Sequence, residues 1–213
     1  MRKVILYRAL DPAAWLKRHH PNDRVLRQLG LKKDRPIVVF RTEEAFASYL
    51  MGKASDKEPV VGPIIDELLR RELECQVVVS TRYGMQAPVI RKRFGDKVTV
   101  VDRIVDATSL LSYSSAFVGS GGTMTVEAAL LGIPSISCFP GPKPLYIQYL
   151  ERLGIVRTIW SPREITTNIQ RILNEPEAFE SQKKKGKQLL AKMEDPVAKI
   201  LSTVELAGKE RGH

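Results

Sequence analysis

The run Phe117-Val-Gly-Ser-Gly-Gly-Thr-Met-Thr-Val-Glu-Ala-Ala-Leu-Leu-Gly-Ile-Pro134 leaves the backbone few paths. Ala116 to Val118 are apolar and short enough for a buried strand. Gly119, Gly121 and Gly122 permit positive φ and close backbone approach, and Val126 to Leu131 resume a helical apolar pattern. Gly132 and Pro134 then stop the helix. A helix that starts on bare glycine backbone offers unpaired N–H groups and roughly half a positive charge, which suits an anion without any catalytic residue. Glu127 lies within two turns of that end and carries acceptor oxygens matched to a diol such as that of a ribose. The order G-x-G-G is neither the G-x-G-x-x-G of dinucleotide binders nor a P-loop, since no G-K-[ST] follows. On the glycines alone, a tight strand-to-helix turn without a ligand is the alternative.

Elsewhere, apolar segments of strand length alternate with amphipathic segments of helix length, the βαβ pattern of a parallel sheet covered by helices. Strands are expected near Val4–Tyr7, Pro36–Arg41, Gln76–Ser80, Val98–Val101, Ala116–Gly119, Ser135–Phe139 and Val156–Ile159. Helices are expected near Asp23–Leu29, Glu43–Leu50, Pro63–Leu73, Gln86–Phe94, Asp106–Tyr113, Thr123–Leu131 and Leu145–Leu153. Ser161-Pro-Arg-Glu164 is a capping box with proline at the first helical position, and Asp195-Pro196 repeats the cap-and-proline arrangement. Beyond it, Val197, Ile200, Leu201 and Val204 mark one apolar face. The fold class is α/β, a single domain with a mainly parallel sheet, in which 1–22 is an entry segment and 23–213 the domain.

Ser-Gly-Gly-x-x-x-x-Glu-Ala followed by Leu-Gly-Ile-Pro resembles the nucleotide-binding motif in the C-terminal domain of GT-B-fold enzymes, among them the UDP-N-acetylglucosamine 2-epimerases and the N-acetylglucosaminyltransferase of peptidoglycan synthesis. An uncharacterised, largely archaeal family related to these resembles the chain more closely. In that family a strand ending in Arg, with an Ala and a Tyr beyond it, precedes a G-G-T-M-x-x-E-A-A-L-L-G-x-P signature. Here the strand is Ile37-Val-Val-Phe-Arg41 with Ala45 and Tyr49, and the likeness covers roughly Val4 to Val156. The resemblance implies a Rossmann-like domain that holds a nucleotide sugar, a UDP-sugar above all. Gly119, Ser120, Gly121, Gly122 and Thr123 would lie at the phosphates and Glu127 on the ribose. It also implies that 1–22 derives from an interdomain linker, because the chain begins where the second of two GT-B domains should. A homodimer or a separate N-terminal Rossmann-like domain is the expected protein partner, and the apolar face from Val197 to Val204 is where it would sit. No cofactor is called for, and the catalytic residues are unassigned.

Arg41 ends a central strand, and ligands of parallel sheets gather beyond the carboxyl ends of strands, so its guanidinium suits a diphosphate. The alternative is a surface ion pair with Glu43 or Glu44. Arg82, after Val77-Val-Val-Ser-Thr81, has the same topological position. Asp106 reads as a helix N-cap rather than a general base. His19 and His20 sit side by side on an extended stretch without a cysteine or carboxylate cluster at ligand spacing, which argues against metal. Cys75 and Cys138 read as small buried hydrophobes without a disulfide.

The formal charge of +10 raises a second reading, a basic nucleic-acid-binding or protein-interaction module on a retained Rossmann-like fold. The dense run Lys183-Lys-Lys-Gly-Lys187 lacks the interleaved aromatics of a stacking platform and reads as a solvated helix face, which argues against nucleic acid. No apolar run approaches the roughly 18 residues of a membrane span, and Arg8 interrupts the first apolar segment too early for a signal peptide. A cytoplasmic protein is expected.

Overall fold

Ile37-Val-Val-Phe40, Val77-Val-Val79 and Ala116-Phe-Val118 carry apolar side chains at consecutive positions, and a strand of that kind is stable only when both of its faces are covered. The computed structural model, which describes residues 4–44 and 59–211, covers them. In chain order the elements are α1 (Ala13–Leu16), α2 (Arg24–Leu29), β1 (Ile37–Arg41), α3 (Gly62–Arg70), β2 (Gln76–Ser80), α4 (Gln86–Phe94), β3 (Thr99–Val101), α5 (Ala107–Ser112), β4 (Ala116–Gly119), α6 (Thr123–Leu130), β5 (Ser135–Ser137), α7 (Leu145–Arg152), β6 (Val156–Thr158), α8 (Pro162–Asn174), α9 (Glu180–Lys192) and α10 (Pro196–Arg211).

The strands form one sheet in the order β3-β2-β1-β4-β5-β6, every neighbouring pair parallel. Because side chains alternate across a strand, each apolar run divides between two cores. Val38, Phe40, Val77, Val79 and Val118 face α3, α4 and α8, through Ile65, Ile90 and Ile165 among others. Ile37, Val39, Val78 and Phe117 face α2, α5 and α6. A third cluster joins α1, α6 and α7 through Ala13, Leu16, Leu130 and Leu150.

Helix starts follow the side chains available. Ser161 Oγ accepts the Glu164 amide at 3.4 Å, Asp106 Oδ1 accepts the Ser109 amide at 2.9 Å, and Asp195 Oδ1 accepts the Val197 amide at 3.0 Å. α9 holds to α6 at Gly186, where a Cβ would come within 2.1 Å of the Ala129 carbonyl oxygen. Lys184, Lys185 and Lys187 are exposed there, as a solvated face requires.

Two local expectations change. Val4–Tyr7 is not a strand: Val4 is 79% and Leu6 81% exposed, and the sheet ends at β3 and β6 without it. Apolar composition favours a strand, but a strand forms only by pairing along a sheet edge, and this segment does not lie on one. The chain instead meets the start of the last helix, where the Arg8 amide donates to Glu194 Oε2 at 2.5 Å and the Glu194 amide donates to the Arg8 carbonyl at 3.1 Å. α1 has no counterpart in the periodicity because it is four residues long and depends on burying Ala13 and Leu16. The helix expected near Glu43–Leu50 lies largely outside the described residues, with Ala45 and Tyr49. Val197, Ile200, Leu201 and Val204 of α10 are exposed. No helix of the described residues is long and apolar enough to cross a membrane.

Candidate functional site

The strand order reverses direction between β1 and β4, and crevices at such switch points collect ligands beyond the carboxyl ends of strands. Arg41 and Gly119 are register partners at that point, and Ser80 lies opposite Arg41 on the other side. The last residues of three strands therefore meet where the sequence places its candidate groups.

Beyond β4 the chain turns through Gly121 at φ 98° and Gly122 at φ 88°, where a side chain would be strained. A Cβ on Gly121 would come within 2.9 Å of the Phe139 ring, so the turn is packed from below. A Cβ on Gly122 would have Arg82 Nη1 as its nearest neighbour, at 4.0 Å. Gly122 is the N-cap of α6 and makes no side-chain cap bond, and the first turn of α6 holds no acidic residue. The positive end of the helix is left to whatever binds it. Ser120 is buried and Thr123 exposed at its edge. Among the described residues, Ser120 Oγ and Thr125 Oγ1 are buried without a hydrogen-bonding oxygen or nitrogen.

Arg41 Nη1 donates to Ser80 Oγ at 2.7 Å and to the Thr81 carbonyl at 2.8 Å. Burial and the nearby Arg82 lower its pKa, and Glu127 and Glu44 oppose them. A guanidinium stays charged regardless. Neither neighbouring carboxylate takes Arg41 as an ion-pair partner among the described contacts. Glu43 turns inward, its Oε2 accepting the Val60 amide at 3.0 Å, and burial raises its pKa. Glu44 pairs with Arg82 Nη2 and accepts the Tyr83 hydroxyl. Arg82 is also fixed at its backbone, where its amide donates to Thr42 Oγ1 at 2.8 Å and Gln86 Oε1 at 2.9 Å. The buried Thr42 and Gln86 side chains bond each other at 2.7 Å and tie the loop after β1 to the start of α4.

Glu127 is half-buried on α6. Burial raises its pKa, while bonds from Trp15, Thr108 and Thr123 and the charge of Arg41 act the other way. Thr108 Oγ1 donates to Glu127 Oε2 at 3.3 Å. The structure thus brings Gly119, Ser120, Gly121, Gly122, Thr123, Glu127, Arg41 and Arg82 to one edge of the sheet. Trp15, Thr42, Glu44, Gln86 and Thr108 join them. Of these five, the sequence names Glu44 as a candidate ion-pair partner and offers for Gln86 only its spacing from Arg82 at the opening of a helix. Asp106 is the N-cap of α5; burial works against its charge, but the Ser109 hydroxyl and amide hold its pKa down. His19 lies 3.5 Å from Ser112 Oγ on α5. Both cysteines are free, and burial pushes the thiol of Cys75 up to about 11 and that of Cys138 to about 12.

Several solved structures share this arrangement of strands and helices. The C-terminal CMP-Kdo binding domain of WaaA from Acinetobacter baumannii superposes with a TM-score of 0.54 at 14% identity, over 78% of this chain and 94% of that one. The glycosyltransferase SnogD from Streptomyces nogalater gives 0.61 at 18% identity, over 88% of this chain and 46% of its own. UDP-GlcNAc 2-epimerase from Neisseria meningitidis, bound to UDP-GlcNAc, gives 0.59 at 14% identity, over 87% and 48%. The fold is that of the C-terminal half of a GT-B enzyme. In sequence, the uncharacterised protein MJ0665 of Methanocaldococcus jannaschii is 35% identical over 162 residues, which are 75% of this chain and 42% of that protein. The model of the family described as "Protein of unknown function (DUF354)" matches residues 13–209, and the chain belongs to that family.

Proposed function

We propose that this domain binds a nucleotide sugar, a UDP-sugar foremost, as the nucleotide-holding half of a GT-B-like glycosyltransferase or sugar epimerase. The diphosphate lies on the Gly119–Thr123 turn against the amides that open α6, Arg82 and Arg41 supply positive charge beside it, and Glu127 accepts from ribose hydroxyls. The observation that carries this reading is the uncapped start of α6 at the switch point, with an arginine nitrogen facing the glycine turn. Structural neighbours that hold CMP-Kdo or UDP-GlcNAc support it. Residues 1–22 lead into the domain of 23–213, and Trp15 within them reaches Glu127. Catalytic groups come from a separate N-terminal domain or a second copy of the chain, which covers the apolar face of α10, and the protein works in the cytoplasm. The comparisons do not favour the basic nucleic-acid or interaction module.

The test is thermal denaturation with UDP, GDP, ADP and their sugar conjugates. At a hundred times its dissociation constant the right nucleotide stabilises the fold by about 2.7 kcal/mol. A melting temperature that stays flat for all of them at millimolar concentration removes the proposal. Stabilisation by single-stranded nucleic acid alone, steeply weakened by salt, would install the basic module in its place.

A further inference from the structure

Resting on the nucleotide reading of the glycine turn, we infer that Glu44 is the positioning residue for Arg82 and sets how strongly the site holds the phosphates. The guanidinium of Arg82 meets Glu44 and the Tyr83 hydroxyl on one side and faces the glycine turn on the other. Its Nη2 edge meets the Glu44 carboxylate, while its Nη1 lies 4.0 Å from where a Cβ on Gly122 would stand. Glu44 is itself steadied by the Tyr83 hydroxyl on its second oxygen. Arg82 and Glu44 retain 41% and 35% of their side-chain exposure, so the pair is open to solvent at the rim of the crevice.

An exposed ion pair of this kind contributes little to folding. Its worth is directional. An arginine on a solvent-facing loop otherwise samples many rotamers, and ordering it at the moment of binding costs affinity. The backbone of Arg82 is already held by Thr42 and Gln86. With Glu44 on one edge of the fork, the other edge is aimed at the turn before any anion arrives. A carboxylate that merely competed for Arg82 would have the opposite effect, and the two roles differ in sign.

The experiment measures binding of UDP and of inorganic pyrophosphate by calorimetry to the wild type, Glu44→Ala, Glu44→Gln, Arg82→Ala and the Glu44→Ala/Arg82→Ala double variant. If Glu44 positions Arg82, Glu44→Ala weakens both ligands about two- to fivefold, the scale of one exposed ion pair. Glu44→Gln, which keeps an acceptor for Tyr83 and Arg82, falls between it and wild type. In the Arg82→Ala background, Glu44→Ala has no further effect, whereas a general structural role would still show there. Tighter binding by Glu44→Ala, or an equal loss with and without Arg82, overturns the inference and leaves the nucleotide site standing. Absence of UDP binding to the wild type defeats the nucleotide reading itself.

Discussion

The two ends of the central strands carry opposite kinds of surface. At the amino ends lies a cleft of about 580 Å³, lined by Pro21, Pro36, Ser112, Ser114, Ser115 and Pro134 among others. Two of its hydroxyls are occupied from within: Ser114 Oγ donates to the Leu111 carbonyl at 2.7 Å, and Ser112 Oγ donates to the Thr108 carbonyl at 2.9 Å. At the carboxyl ends Arg41, Thr42 and Gln86 are bonded, but the helix that starts on the glycine turn is left open. α6 starts without a side-chain cap, and Ser120 Oγ lacks an oxygen or nitrogen partner. A hollow is weak grounds for a site when its walls are chemically satisfied. The uncapped start of a helix at a switch point says more, because its backbone amides suit an anion.

The sharpest way to break this contrast is a pair of glycine substitutions, one at each edge. Gly121 and Gly132 both have positive φ, and both are crowded, by the Phe139 ring at 2.9 Å and by the Lys183 carbonyl oxygen at 2.7 Å. Gly121→Ala and Gly132→Ala should each cost about 2–4 kcal/mol, from left-handed strain plus overpacking. Urea denaturation should show similar losses, and only Gly121→Ala should also abolish UDP binding by the folded fraction. Equal effects on binding would erase the distinction between the edges.

Next in size is Arg82→Ala. A hydrogen bond to a charged group contributes about 1.5–3 kcal/mol, so UDP affinity should fall roughly 10- to 150-fold with little change in stability. Lys187→Ala beside the amino-end cleft should leave that affinity unchanged. Calorimetric titration of both variants decides the matter, and a Lys187 effect of comparable size would move the site to the other edge.

The smallest effect concerns pH. Burial raises the pKa of Glu127, so the folded chain keeps its proton at pH values where the unfolded chain has lost it. Between the ordinary carboxylate range and the raised value, the folded state binds more protons and stability falls as pH rises. Above that window, ionised Glu127 is a small cost to the fold. Glu127→Gln should therefore flatten this part of the urea midpoint against pH, with stability at neutral pH equal to or slightly above wild type. UDP binding should nevertheless weaken. A variant that unfolds, or one that keeps full affinity, would make Glu127 a structural partner of Trp15 and Thr108.

The sheet was legible because Ile37 to Phe40 and Ala116 to Val118 state their burial in consecutive residues, and the glycine turn was legible because positive φ demands glycine there. Partnerships across the sheet were not. The alternative for Arg41 looked to Glu43 and Glu44, its neighbours in sequence, whereas parallel register sets it beside Ser80, and Glu44 goes to Arg82. Trp15 reaches Glu127 only because Ala13 and Leu16 anchor a short helix against α6, and no periodicity in four residues announces that. The strand expected at Val4 fails for a related reason, since local apolarity does not say whether a segment meets a sheet edge or a helix end.

Cys138 lies directly beneath the glycine turn, 2% exposed, its Sγ 3.5 Å from the Gly119 carbonyl oxygen. A thiol whose pKa is pushed up to about 12 is protonated and slow to react while the fold is closed. Its rate of alkylation is therefore a clock for the turn, counting how often the loop lifts away and lets reagent and water reach the sulfur. The protein carries a native reporter of opening at this edge, and whatever occupies the crevice will make that clock run slow.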